Sequence, residues 1–320
     1  MIQVKNLAKS FGPKRAVDGV SFNVEVGEVL GFLGPNGAGK STTMRMITGF
    51  IPPTEGTVVI GKHDIQENPI EAKKLLGYLP ENAPAYTDMS VYGFLNFVAE
   101  LRGLRGDAKK KAVNRVIEMC FLEAVVNQSV DTLSKGYRHR TCFAQSIIHD
   151  PPVLVLDEPT DGLDPNQKHE VRTLIKRMGE KKAIIFSTHI LEEVEAVCTR
   201  AIIIDHGKIV ANGTPDELKM RSELAGTVLV KILDAPSEVV VQKLSELPCA
   251  KRASIINTNG SACIRVYPRP NLENGALAQA IGNLAVQQQW KIAELHTDEG
   301  RLDEVFRSIT IPDTKQEAVK

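Results

Sequence analysis

The sequence feature that most constrains the fold is the stretch of residues 34–42, Gly-Pro-Asn-Gly-Ala-Gly-Lys-Ser-Thr, which fits the pattern G-x-x-x-x-G-K-[ST]. Glycines in a short turn let successive backbone N–H groups point at phosphate oxygens without Cβ clashes. A helix that begins at about Lys40 adds its positive N-terminal end to this loop. We expect Lys40 to reach the β- and γ-phosphates and the Ser41 hydroxyl to bind Mg²⁺. The stretch predicts a nucleoside triphosphate site.

The residues on either side of the loop agree with this interpretation. Residues 29–33 form a short apolar run that predicts a buried strand, and residues 42–48 predict a helix. The alternative is a glycine-rich surface turn that matches the pattern by coincidence, and such a turn needs neither flanking element. The flanking pattern therefore favours a phosphate-binding loop.

Charge and cysteine content argue against other classes of protein. The 320 residues include 39 Lys or Arg and 39 Asp or Glu, so no basic excess of the kind that binds nucleic acid is present. The five cysteines are scattered and form no C-x-x-C pair, which indicates reduced thiols and not a disulfide framework or a zinc site. No apolar run approaches the roughly 18 to 20 residues of a membrane span. The strand-like start at residues 2–5 does not resemble a signal peptide, so we expect a soluble intracellular protein.

Hydrophobic periodicity predicts an α/β fold for residues 1–218. Strand and helix patterns alternate through this region, as expected for a mostly parallel sheet. Residues 90–104 and 107–126 show helical spacing with no strand between them. They predict an all-helical insert over about residues 82–150.

The pattern changes after residue 218, which predicts a second, smaller domain. Residues 219–310 follow the order β-α-β-β-α-β through Leu295, with one more helix after it. This order is that of the ferredoxin-like α+β arrangement, with its second and third strands joined about residues 259–260. The polar tail, residues 311–320, is predicted to be disordered.

Two adjacent acids form a second candidate for chemistry. Asp157 and Glu158 follow the apolar residues 153–156, which predict a central strand, and the carboxyl ends of such strands are where α/β sheets bind ligands. The first acid can hold Mg²⁺ and the second can polarise an attacking water. The alternative is a pair of acids that only caps a strand. His189 also follows a predicted strand, and it is either a loop histidine or a hydrogen-bond partner for a γ-phosphate oxygen.

Together these motifs resemble the nucleotide-binding subunit of ATP-binding-cassette (ABC) transporters over about residues 1–218. In that resemblance residues 34–42 match the Walker A loop, and residues 153–158 match the Walker B strand with its catalytic glutamate. Residues 161–164 match the D-loop and His189 matches the switch histidine. The residues similar to the family signature, Leu-Ser-Gly-Gly-Gln, are Leu133, Ser134, Lys135, Gly136 and Tyr137.

The resemblance implies a P-loop ATPase that uses ATP and Mg²⁺. By residue type alone Phe11 is a half-buried strand aromatic, but the family likeness makes it the ring that stacks on adenine. The residues that the resemblance assigns to catalysis are Lys40, Glu158 and His189. Those assigned to Mg²⁺ are Ser41, Glu81 and Asp157. Those assigned to the nucleotide and its metal are Phe11, Gly34, Pro35, Asn36, Gly37, Ala38, Gly39, Lys40, Ser41, Thr42, Glu81, Ser134, Gly136 and Asp157.

Two departures from the family pattern point to one branch of it. Glu81 stands where most members have a glutamine that links the metal to the helical insert, and the signature has Lys135 and Tyr137 in place of glycine and glutamine. Both variants resemble exporters of the drug, antibiotic, sodium and gliding-motility group. The carboxylate of Glu81 can face Mg²⁺ as an amide oxygen does, but it adds negative charge. Lys135 either adds positive charge near a partner's γ-phosphate or is a solvated loop lysine.

The resemblance also implies partners. Two copies of the chain would enclose two ATP molecules head to tail, each signature completing the other copy's site, and a separate integral membrane permease would dock on the helical insert. The protein would then lie on the cytoplasmic face of the membrane without binding nucleic acid. The C-terminal region is similar to an appendage of some exporter ATPases, and a regulatory or dimer-holding role is a hypothesis.

Other functions remain open at the level of sequence. A soluble ABC ATPase that acts on ribosomes or DNA is the main alternative, although such relatives usually carry two cassettes or a long coiled-coil insertion. A metabolic kinase or GTPase would leave residues 133–138 and His189 unexplained, and the guanine-reading pattern Asn-Lys-x-Asp is absent. The C-terminal domain as a small-ligand sensor is a further alternative. The transported substrate cannot be inferred, because its path lies in another polypeptide.

Overall fold

The chain divides into two units, Met1–Pro215 and Asp216–Ile309. The division comes from a computed structural model, which describes residues 1–82, 84–257, 262–270, 272–273 and 275–310. The predicted boundary after residue 218 falls three residues beyond the observed division. The predicted turn at residues 259–260 and the predicted tail, residues 311–320, lie outside the described residues.

The first unit begins with three strands, and helices and strands are interspersed after them. Its strands are β1 (Ile2–Phe11), β2 (Lys14–Val24), β3 (Val29–Leu33), β4 (Glu55–Ile60), β5 (His63–Asp64), β6 (Leu76–Leu79), β7 (Val153–Asp157), β8 (Ala183–Thr188), β9 (Arg200–Asp205) and β10 (Lys208–Gly213). Its helices are α1 (Lys40–Ile47), α2 (Pro69–Lys74), α3 (Val91–Leu101), α4 (Gly106–Met119), α5 (Lys135–Ile147), α6 (Pro165–Gly179) and α7 (Leu191–Val197).

A six-stranded sheet determines where the loops after its parallel strands lie. Its order is β10-β9-β3-β8-β7-β6, and β9, β3, β8, β7 and β6 run parallel while β10 is antiparallel to β9. Strands β3, β7 and β8 are buried at every position, which is why their sequences are nearly continuous apolar runs. The loops after β3, β6, β7 and β8 therefore meet at one edge of the sheet.

A second, antiparallel sheet covers the other side of α1. It has the order β2-β1-β4-β5. One hydrophobic cluster joins both sheets with α1, because α1 buries Met44, Met46 and Ile47 among residues such as Val4, Val58, Leu30 and Val155. Burial on this scale, at about 1.5–3 kcal/mol for each fully buried aliphatic side chain, fixes where α1 and its loop lie.

The helical insert consists of α3, α4 and α5, with two short 3₁₀ turns between α4 and α5. The predicted helix over residues 107–126 is too long, because α4 ends at Met119 and Phe121 adopts a left-handed φ of 54°. An L-residue in that conformation cannot continue a right-handed helix. Among the described helices, none combines the length and apolar character needed to cross a membrane.

The second unit has its own sheet and its own core. Its elements are β11 (Val228–Ile232), α9 (Ser237–Ser245), β12 (Ala250–Asn257), β13 (Ala262–Pro268), α10 (Ala276–Gln287), β14 (Ile292–Thr297) and α11 (Leu302–Ile309), after the short α8 (Pro215–Lys219). From β11 to β14 this is the predicted β-α-β-β-α-β order. The antiparallel sheet has the order β12-β13-β11-β14, and α9 and α10 close its apolar face with Val240, Leu244, Leu277 and Ile281.

Candidate nucleotide site

The loop between β3 and α1 approaches other backbone segments so closely that only glycine fits at two of its positions. Gly39 has φ of 107°, and a Cβ there would lie 2.6 Å from the Ala16 carbonyl oxygen. A Cβ at Gly34 would collide with the Ile204 carbonyl oxygen. Helix α1 begins directly after Gly39, so its first N–H groups have no acceptor within the helix and point into the loop. This geometry is that of an anion-binding loop.

Lys40 supplies a buried cation to the same loop. Its side chain is 6% exposed, and its Nζ donates to the carbonyl oxygens of Gly34 at 2.7 Å and Pro35 at 3.2 Å. Burial lowers the Lys40 pKa, while the nearby carboxylates of Glu158 and Asp157 act in the opposite direction. A cation with this little access to water gains strongly from an anionic ligand.

Asp157 lies at the end of β7, under the loop. It is 1% exposed, accepts from the Ser187 hydroxyl at 2.5 Å, and has Oδ1 3.4 Å from the Ser41 hydroxyl oxygen. Mg²⁺ in nucleotide sites takes one or two protein oxygen ligands and completes its shell with phosphate and water. The carboxylate of Asp157 and the hydroxyl of Ser41 fit such an ion.

Glu158 and His189 form a hydrogen-bonded pair at the ends of the adjacent strands β7 and β8. His189 Nδ1 lies 3.0 Å from both carboxylate oxygens of Glu158. Glu158 adopts a left-handed φ of 51°, which is rare for a side chain of this size and often marks a functional position. Burial raises the Glu158 pKa above its usual range, and the contact with His189 offsets part of that increase.

A cavity of about 590 Å³ opens at this sheet edge. Its lining residues come from β1, β2, the loop before α1, α1 itself and the ends of three parallel strands: Phe11, Lys14, Ala16, Asn36, Gly37, Gly39, Lys40, Ser41, Thr42, Glu81, Glu158, Asp161 and His189. Phe11 is 52% exposed at the cavity wall, and the Lys9 ammonium group lies 5.4 Å from the centre of its ring. Glu81, predicted from the resemblance alone, is exposed and lies two residues after β6.

The signature residues are not part of this cavity lining. Ser134 caps α5, where its hydroxyl accepts from the Tyr137 N–H at 3.4 Å. A Cβ at Gly136 would collide with the side chain of Gln167. Lys135 is exposed, and its ammonium group forms an ion pair of 2.8 Å with Asp161 of the same chain. Lys135 is therefore a surface lysine with a partner within the chain.

Several side chains that organise this site were missed at the level of sequence. Ser187 donates to Asp157 and accepts from the Glu158 N–H at 3.1 Å. Glu193 is fully buried on α7 and accepts hydrogen bonds from Thr160 and Thr188. One sequence signal was available for Glu193, because it lies four residues before the buried Val197 on the apolar side of α7, where an acid needs partners.

Comparisons with known proteins agree with this geometry. The family model described as "ABC transporter" matches residues 17–161. The linearmycin resistance ATP-binding protein LnrL of Bacillus subtilis (strain 168) is 36% identical over 234 residues, 72% of this chain and 74% of the relative. The probable multidrug ABC transporter ATP-binding protein YbhF of Escherichia coli (strain K12) is 39% identical over 223 residues, and the alignment covers 69% of this chain but 38% of the relative's length.

A solved structure shows the same fold. It is described as the structure of the ATP binding subunit of an ABC transporter, with a TM-score of 0.65 and 27% sequence identity. The match covers 69% of this chain and 92% of the solved chain.

Proposed function

Because the chain belongs to the ATP-binding subunits of ABC transporters, we propose that it is an ATP-hydrolysing motor of an exporter. Two relatives support the direction of transport, since their names refer to multidrug transport and to linearmycin resistance. In this proposal the chain binds MgATP, dimerises with a second copy, and drives a separate integral membrane permease from the cytoplasmic face of the membrane.

One structural observation carries the proposal. The carboxyl ends of β3, β7 and β8 bring Lys40, Asp157, Glu158 and His189 to a single sheet edge. A buried cation, a buried carboxylate beside a hydroxyl and a second carboxylate paired with a histidine are groups that phosphoryl transfer to water needs. The 590 Å³ cavity beside them is large enough for a nucleotide.

The side chains divide the chemistry between them. Lys40 and the N–H groups at the start of α1 bind the phosphates. Ser41 and Asp157, with Glu81 in the same cavity lining, would hold Mg²⁺, which would neutralise phosphate charge. Glu158 orients the attacking water and accepts its proton, because its raised pKa makes it a better base than an ordinary glutamate. His189 holds the Glu158 carboxylate in place through Nδ1, and we assign its other ring nitrogen, Nε2, to a γ-phosphate oxygen. Phe11 presents its exposed ring to the adenine.

The helical insert and the signature residues are the surfaces on which we expect the permease and the second copy of the chain to bind. We propose that the permease docks on the surface of α3 and α4. The second copy of the chain would lie against the hydroxyl of Ser134 and the N–H of Gly136, because neither residue lines the chain's own cavity. A site completed by a second chain would couple ATP binding to dimer closure.

The test is phosphate release from MgATP by the purified chain, alone and together with a candidate multi-span membrane protein. We expect hydrolysis by the wild type, loss of it in Lys40→Ala, and a change in rate when the membrane protein is present. If the chain neither binds nor hydrolyses a nucleotide, the proposed ATPase activity is refuted. Hydrolysis that responds to ribosomes or DNA and not to the membrane protein would refute the transport role.

A further inference from the structure

Glu193 on α7 is a buried carboxylate that is fully paired by side chains from other segments. The residue is 0% exposed. Its Oε1 accepts from the Thr160 hydroxyl at 2.5 Å and from Arg172 Nη2 at 3.1 Å, and its Oε2 accepts from the Thr188 hydroxyl at 2.8 Å. An acid kept away from water is costly unless such partners surround it. The arrangement therefore specifies where each of these partners must lie.

The partners of Glu193 belong to the two segments that carry the proposed catalytic pair. Thr160 comes two residues after Glu158, in the loop after β7, and Thr188 is the last residue of β8, directly before His189. Both hydroxyls are buried, at 1% and 0% exposure. The two oxygens of one carboxylate therefore connect the loop that contains Glu158 to the strand end that contains His189.

The position of His189 is further linked to Glu193 through the backbone. The Thr188 hydroxyl, which donates to Glu193, also accepts from the Ile190 N–H at 3.0 Å. The hydrogen bonds of the Thr188 hydroxyl therefore fix the residues on both sides of His189, which are Thr188 itself and Ile190. On the other side, Arg172 of α6 neutralises Glu193, so the network reaches the helix that follows the D-loop.

We propose that Glu193 is a positioning residue for ATP hydrolysis, which sets the separation of Glu158 and His189 through Thr160 and Thr188. The proposal rests on the proposed ATPase function. It follows from the geometry because the contact between His189 and Glu158 joins the same two segments that Glu193 joins from the interior. Displacements of about 1 Å at such groups lower rates by up to about 10²-fold.

The experiment compares Thr160→Val with Thr160→Ser in the full chain. Valine keeps the shape of threonine and removes the hydroxyl, whereas serine keeps the hydroxyl that donates to Glu193. We expect kcat for MgATP to fall about 10-fold or more in Thr160→Val, with an ATP Kd and KM within about twofold of wild type. Thr160→Ser should restore most of the kcat. A purely structural role would lower stability without this split between kcat and KM.

Two further variants complete the test. Glu193→Gln replaces one acceptor oxygen by an amide NH₂ and removes the charge that pairs with Arg172, so kcat should fall at least as much. Adding Thr160→Val to it should cost less than the same change costs in the wild type, because both changes act on the contact between Thr160 and Glu193. Glu192→Gln is the matched control, since Glu192 is exposed on the same helix, and it should behave as wild type. Wild-type kcat in both Thr160→Val and Glu193→Gln would overturn the positioning role. Absence of hydrolysis in the wild type would refute the proposed function itself.

Discussion

His189 Nδ1 contacts both carboxylate oxygens of Glu158 at 3.0 Å, across the ends of two neighbouring parallel strands. The pair faces the cavity, because both residues line it with Lys40. Two features of the environment change the Glu158 pKa in opposite directions. Burial raises it and the contact with His189 lowers it, and burial is the larger effect. The net effect raises the Glu158 pKa, so its carboxylate is more basic than that of an exposed glutamate.

The first prediction concerns Glu158→Gln, which keeps the shape of the side chain and removes its basicity. We expect turnover of MgATP to fall by ~10²–10⁴-fold, as for the loss of a positioned base. ATP binding should be retained, because Lys40 and the loop are unchanged. Equilibrium binding with single-turnover kinetics measures both, and size-exclusion chromatography with ATP should show the dimer. A variant with wild-type turnover would contradict the role of Glu158.

The second prediction concerns pH. The carboxylate of Glu158 must be unprotonated to act as a base, and its pKa is raised by burial. As the pH is lowered, activity should therefore begin to fall at a higher pH than it would if the base had the pKa of an ordinary glutamate. Because His189 lowers the Glu158 pKa, removing its contact by His189→Ala should move this acid limb to still higher pH. The measurement is the pH profile of kcat/KM for MgATP, scored on residual activity in the variant.

An acid limb at or below the ordinary glutamate range would contradict the burial argument. A limb that stays in place in His189→Ala would show that the contact with Glu158 is absent in solution. His206→Ala is the matched control, because His206 lies in the turn between β9 and β10 and does not line the cavity. We expect this control to leave the acid limb unchanged.

The third prediction is that each catalytic site is built from two chains. The variants are Lys40→Ala, which removes the phosphate-binding cation, and Ser134→Arg, which places a bulky charge at the signature. A heterodimer of the two single variants keeps one intact site if Ser134 acts across the interface. A heterodimer of the double variant with wild type keeps none. The measurement is ATP turnover and nucleotide trapping with differently tagged, purified heterodimers.

The opposite ranking would show that Ser134 and Lys40 serve the same chain's site. In that case the double variant paired with wild type retains one good site, and the two single variants together have none. Purified homodimers of each single variant are the controls, since both models expect them to be inactive.

The fourth prediction is that the first unit folds alone. The hydrophobic cluster around α1 and that around β11 contain no common residue, and every candidate site residue lies before residue 190. A chain that ends after Pro215 should unfold cooperatively and gain thermal stability from MgATP, by about 2.7 kcal/mol at a ligand concentration of 100 Kd. Calorimetry with and without MgATP tests this. An insoluble product, or one with no nucleotide-dependent shift, would show that the units depend on each other.

The sequence indicated much of the candidate nucleotide site, because the motifs that suggest it are local in the chain. The loop at residues 34–42 and the acid pair Asp157–Glu158 are short motifs in which spacing, flanking strands and residue type suffice. The comparisons confirm the family and the cassette fold that these motifs indicated. The end of α4 was predicted less well, because helical spacing continues past Met119 while the backbone at Phe121 turns.

Contacts between residues far apart in the chain could not be predicted from the sequence. The Thr160, Thr188 and Glu193 network joins residues up to 33 positions apart, and each residue alone is an ordinary polar side chain. Lys135 was compatible with a distant phosphate or with solvent, and its ion pair with Asp161 depends on the loop after β7 folding against α5. Such contacts depend on which strands become neighbours in the sheet.

The sequence by itself determined the phosphate-binding loop, the acid pair and the division into an α/β and an α+β region, because hydrophobic period and glycine placement act over a few residues. Only the tertiary structure decided that β8 lies between β3 and β7, which puts His189 on Glu158 and encloses Glu193. The physical reason is that strand order is chosen by the packing of whole elements, whose burial energy sums over residues far apart in the chain.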